Sequence, residues 1–126
     1  MIIEIPDIPI SKNVIRSLTH KGYYSQIKRL RHRFELAILV AKNQAGITLD
    51  FHNPPKKLSI NVMIYKKVKG GRLGDSINYI DELMDSLVKM GVLYNDCDNW
   101  GKLKSIGLAR GKENKTVIEI CSTIVS

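Results

Sequence analysis

The chain carries only two cysteines in 126 residues, Cys97 and Cys121. They are too few and too far apart for a disulfide framework or a CxxC thiolate site. Its three histidines, His20, His32 and His52, stand singly, without HExxH or His-x-His spacing, which argues against a zinc hydrolase. No apolar run approaches the roughly 18 to 20 residues that a bilayer span needs. Met1 to Ile10 also lacks the basic-then-apolar order of a secretory signal, so a cytoplasmic protein that does not enter membranes is expected. Aromatic residues make up 6% of the chain. Tyr23, Tyr24, Phe34, Tyr65, Tyr79, Tyr94 and Trp100 suit core positions better than base-stacking platforms. Asn53-Pro54-Pro55 and Lys69-Gly70-Gly71 are turns too short to be linkers, and no internal repeat occurs, so residues 1–126 read as one domain.

Acid is also scarce. Twelve Asp and Glu face twenty Lys and Arg, a formal charge of +8, and such a surface attracts polyanions, nucleic acid foremost. The basic residues fall into three groups: Lys12 to Arg16, Lys28 to Arg33 (with Arg29 and Arg33), and Lys66, Lys67, Lys69 and Arg72. The third group is interleaved with Gly70 and Gly71, which allow close backbone approach to a phosphate.

Hydrophobic periodicity supplies the elements. Ile2 to Ile5 suits a first strand, ended by Pro6 and Pro9, and a loop is expected through Ser11, Asn13, Arg16, His20 and Gly22. From Tyr24 to about Ala45, apolar residues recur at Tyr24, Ile27, Leu30, Phe34, Ala37, Ile38 and Ala41, one face of a long helix that Gly46 ends. Leu58 to Lys67 alternates with period two, as a strand with one buried face does. A second helix is expected over Ile77 to Met90, capped by Asp75 or Ser76 and ended by Gly91. Leu103 to Arg110 and Thr116 to Val125 around Gly111 to Lys115 read as a β-hairpin. Strands and helices in this order give an α+β class.

The few acids are concentrated. Asp75, Asp81, Glu82, Asp85, Asp96 and Asp98 supply half of all carboxylates within 24 residues. Asp81, Glu82 and Asp85 lie on the polar side of the second helix, where a solvated face explains them as well as a site does. Asp75 and Asp96 sit at element boundaries, where chemistry is more often carried. With neither a zinc site nor a nucleophile triad, phosphodiester hydrolysis calls for oxygen ligands on a hard cation such as Mg²⁺, with Mn²⁺ as a substitute.

Asp75-Ser76-Ile77-Asn78, then Asp85-Ser86-Leu87, then Gly91-Val92-Leu93-Tyr94-Asn95-Asp96 resembles, without a gap, the central pattern of the RusA-like Holliday-junction resolvases. In that family the pattern is Asp-x-Asp-Asn, a helix with Lys and Asp-x-Leu, then Gly-x-x-x-Asp-Asp. Ile5-Pro6 with Pro9, Ser11 and Asn13 is similar to the family's opening strand and Pro-x-Ser-x-Asn loop. The resemblance implies a small mixed β-sheet with two main helices packed on it. It further implies a Mg²⁺-dependent endodeoxyribonuclease that cuts branched DNA as a homodimer and is encoded by a phage or prophage. Asp75 and Asp96 match its magnesium ligands, and Asn78 and Asp85 match other motif positions. The family's second catalytic Asp falls on Ile77, its lysine on Asp81, and the first of its paired acids on Asn95. Two readings follow. Either the missing acid has migrated to Asp81, with Asp85 or Asp98 assisting, or the protein binds branched DNA without cutting it.

Overall fold

The alternating segment becomes the organising strand. In a computed structural model that describes residues 1–47, 58–93 and 102–122, β2 spans Leu58–Lys66. Around it stand β1 (Ile2–Ile5), α1 (Lys12–His20), α2 (Tyr24–Ala45), a 3₁₀ turn (Ser76–Tyr79), α3 (Ile80–Lys89), β3 (Lys102–Arg110) and β4 (Lys115–Ser122). The sheet order is β1-β4-β2-β3. β4 runs antiparallel to both β1 and β2, while β3 runs parallel to β2, so the sheet is mixed and the class is α+β.

The period-two pattern sets the register. Ile60 lies opposite Ile120, Val62 opposite Ile118 and Ile64 opposite Thr116, which puts the apolar set of each strand on one face. Ile3 and Ile5 of β1 continue that face beyond Ile118 and Thr116. Phe34, Ile38 and Ala41 of α2 and Leu83, Met84 and Leu87 of α3 pack on it to make the main core. Each fully buried Ile, Leu or Phe contributes about 1.5–3 kcal/mol relative to exposure.

Three expectations are corrected. The loop expected through Ser11 to Gly22 is a helix, α1: Ser11 caps it by accepting from the Val14 amide at 3.2 Å, and Gly22, at φ 76°, turns the chain out of it. α1 is short, and it is held by Leu18, which packs with Ile10 and with Ile27 of α2 as a small separate cluster. The second helix does not run from Ile77 as a regular α-helix. It opens as the 3₁₀ turn, closed by the Asn78 amide on the Asp75 carbonyl at 3.1 Å. That tighter turn buries Tyr79 and leaves Ile77 65% exposed.

The third correction concerns topology. β3 and β4 do not form a hairpin, because β2 lies between them. The connection over residues 111–114 crosses the end of β2, where the Gly111 amide donates to the Lys66 carbonyl at 3.0 Å. The Lys67 amide donates to Asn114 Oδ1 at 2.9 Å. A side chain at 111 would meet Tyr65 Cβ at 2.9 Å, so glycine is what permits this close crossing. No helix among the described residues is long and apolar enough to cross a membrane.

Candidate functional site

Asp75 ends the basic loop that leaves β2. Its carboxylate caps the 3₁₀ turn, with Oδ1 accepting from the Ile77 amide at 3.3 Å. Oδ2 has no hydrogen-bond partner among the described residues, and the side chain is exposed. Asp75 therefore does two things at once: it fixes the start of the turn and presents a carboxylate oxygen to solvent.

The acids of α3 are arranged differently. Asp81 and Glu82 sit in the first turn, where carboxylates favour the helix macrodipole. Asp81 lies 3.5 Å from Lys12 of α1, a pair whose side chains are 78% and 60% exposed and which water screens heavily. Glu82 is half-buried and takes a two-pronged grip from Arg31 of α2, with Nε at 3.1 and 3.0 Å from its two oxygens. The hydrogen bond to Glu82 raises the Arg31 pKa above its ordinary value. Partial burial opposes that shift, and the nearby charges of Glu82, Asp85 and Glu35 reinforce it. Lys89, at the other end of α3, pairs with Glu35 of α2 at 3.0 Å. The polar face of α3 is thus an ion-paired seam against α1 and α2, and Asp85 stays exposed beside it.

Among the described residues no three His, Cys, Asp or Glu side chains gather closely enough to hold a metal ion. Asp75, Asp81 and Asp85 do not form such a group by themselves. Asp96, Asp98 and Cys97 lie outside the described residues. The donors in hand are carboxylate oxygens, which suit Mg²⁺ or Mn²⁺ and not a soft thiophilic ion.

The basic groups separate by their partners. On α2, Arg31 is committed to Glu82, and Arg33 to the buried Asp7, whose oxygens it meets at 3.1 and 3.4 Å. Lys28, Arg29 and His32 have no ion pair among the described residues. They line a groove of about 810 Å³ that also takes in Tyr24 and Lys89. Lys12 and Arg16 are exposed on α1, not on a loop.

Sequence reasoning missed a further set. Because the connection between β3 and β4 crosses the end of β2, Arg110, Lys112 and Lys115 are brought to the same end of the sheet as Lys66 and Lys67. Arg110 Nη2 donates to the Gly71 carbonyl, which ties the basic loop to the end of β3. The signal lay in Gly111, whose smallness permits the crossing, but it becomes readable only once β2 is known to be the central strand.

No family model matches the chain, and no curated protein matches it significantly.

Proposed function

We propose that the chain is a metal-dependent endodeoxyribonuclease of the RusA-like type, acting on four-way junctions or other branched DNA. One observation carries the reading: the basic loop Lys66 to Arg72 leads directly into Asp75, whose carboxylate is held at its backbone by the turn it caps and is open on its other oxygen. A cation-rich rim holds the polyanion, and the acid beside it holds the divalent ion that lets a phosphate approach.

In this reading Asp75 and Asp96 are the ligands, with Asp81 or Asp85 assisting. Both helpers are accessible: Asp85 is exposed with no ion pair among the described residues, and the exposed pair of Asp81 with Lys12 costs little to give up. Asp75 and Asp96 would hold Mg²⁺ or Mn²⁺, which when bound would supply an activated water and offset charge on the scissile phosphate. Lys69 and Arg72 orient the flanking phosphates. Paired cuts across a junction favour a two-fold homodimer, and a phage or prophage setting belongs to the same reading.

The test is a nicking assay on a synthetic four-way junction, with and without Mg²⁺ or Mn²⁺. Asp75→Asn and Asp96→Asn are expected to abolish cutting while junction binding stays equal or tightens. Undiminished cutting by both variants rules the assignment out. Junction binding by the unaltered chain with no cutting in either ion identifies a binding protein instead, and sedimentation of the protein with junction DNA reads the dimer.

A further inference from the structure

The end of the sheet gathers more positive charge than any one stretch of sequence suggests. Residues 66–72 bring Lys66, Lys67, Lys69 and Arg72, and residues 110–115 bring Arg110, Lys112 and Lys115, against the single carboxylate of Glu113. The two segments are one body. Gly111 and Asn114 bond the backbone of β2 as it leaves the sheet, and Arg110 holds the carbonyl of Gly71. Of the seven cations only Lys115 has an ion pair among the described residues, with Glu4 at 3.8 Å, and it also lies over the Tyr65 ring at 5.4 Å. On the helices, Lys12, Arg31, Arg33 and Lys89 each have a carboxylate, while Arg16, Lys28 and Arg29 have no ion pair among the described residues.

From this concentration of cations on two segments bonded to each other we infer that the crossing connection, through Lys112 and its neighbours, is part of a nucleic-acid phosphate-binding edge continuous with the basic loop. The inference rests on the nuclease reading for its partner and extends it to residues that reading does not use. Adjacent strands lie about 4.8 Å apart, so the ends of β3, β2 and β4 span roughly 10 Å. That is about three phosphates of one DNA strand at roughly 3.4 Å of axial rise each. Leaving cations unpaired on a tied backbone costs self-repulsion that a row of phosphates relieves. A lipid surface fits less well: among the described residues neither segment carries an exposed large hydrophobic side chain to enter a bilayer.

The experiment is fluorescence anisotropy of the full chain with a labelled plain DNA duplex, without divalent ion, over a series of salt concentrations. The variant Lys112→Ala is expected to lower the slope of log affinity against log salt by about 0.9, the share of one lost phosphate contact. Its circular dichroism should remain unchanged, because the side chain is exposed and makes no hydrogen bond or ion pair among the described residues. Wild-type binding with an equal slope in the variant overturns the inference while leaving the nuclease reading intact. A reduced slope together with no Mg²⁺-dependent or Mn²⁺-dependent nicking by the unaltered chain supports the edge and sinks the nuclease. Absence of duplex binding, or binding only to phosphatidylserine vesicles, overturns the edge as a nucleic-acid site.

Discussion

On α3 the acids Asp81 and Glu82 meet cations from α1 and α2, and Lys89 meets Glu35, so charge there is spent between elements. At the end of the sheet, Lys66, Lys67, Lys69, Arg72, Arg110 and Lys112 crowd together with no ion pair among the described residues. Both regions are polar and largely exposed, yet they do different work. Ion pairing between helices contributes to how α1, α2 and α3 sit together, whereas at the sheet end only Arg110, through the Gly71 carbonyl, ties structure, and the charge of the others is available to a partner. The contrast also explains why the acid cluster that stands out in the sequence is only partly a candidate site. Asp75 is separate from the seam; Glu82 belongs to it; Asp81 is attached by an exposed contact that is easily released.

The largest effect is expected from Gly111→Val, which forces a branched side chain against Tyr65 Cβ and the Glu113 carbonyl. It should cost about 1–3 kcal/mol of stability, read as a lower urea midpoint. The same variant should weaken duplex binding by displacing the connection, and an unchanged midpoint would mean that the crossing is looser than described. Next comes Arg31→Ala, which strands the half-buried Glu82. About 1 kcal/mol is expected after allowance for solvent screening of a guanidinium that is nearly half exposed. Because the folded state raises the Arg31 pKa, its share of stability is complete below the unfolded value and is lost only as pH rises through the folded one. Both lie at the alkaline extreme, so the cost of Arg31→Ala should be the same at pH 6 and pH 8. A loss that changed between those two pH values would point to a group other than Arg31.

The smallest effect is expected from Lys89→Ala: a change in stability below about 0.5 kcal/mol and a DNA salt slope indistinguishable from that of the unaltered chain. A slope reduced by about one unit would show that a paired lysine binds phosphate as well as an unpaired one does, and would erase the distinction between the two regions.

Long, strongly periodic segments were legible from the residues. The helix read from Tyr24 to Ala45 has those bounds, and the strand read over Leu58 to Lys67 ends one residue earlier, at Lys66. α1 was not legible because its nine residues include the β-branched Val14, Ile15 and Thr19, and the helix rests on a serine cap and one buried leucine. The β3 to β4 connection looked like a hairpin turn because Gly111 to Asn114 has turn chemistry, and local sequence carries no mark of the strand that intervenes. The candidate site divides along the same line. The loop Lys66 to Arg72 and the capping role of Asp75 follow from neighbouring residues. The pairing of Arg31 with Glu82, and the arrival of Arg110 and Lys112 beside Lys66, join residues more than forty positions apart.

Among the described residues β1 pairs with β4 alone, and the Thr116 hydroxyl donates a hydrogen bond to the Asp7 carbonyl at 2.8 Å. β1 therefore waits for a strand made more than a hundred residues later. Until then Ile3 and Ile5 have no sheet to lie on, and β2 has an open edge that invites a stray strand from another molecule. Assembly of this fold is consequently late and all at once, and nascent chains halted before Lys115 should be substrates for chaperones rather than partly working copies of the protein.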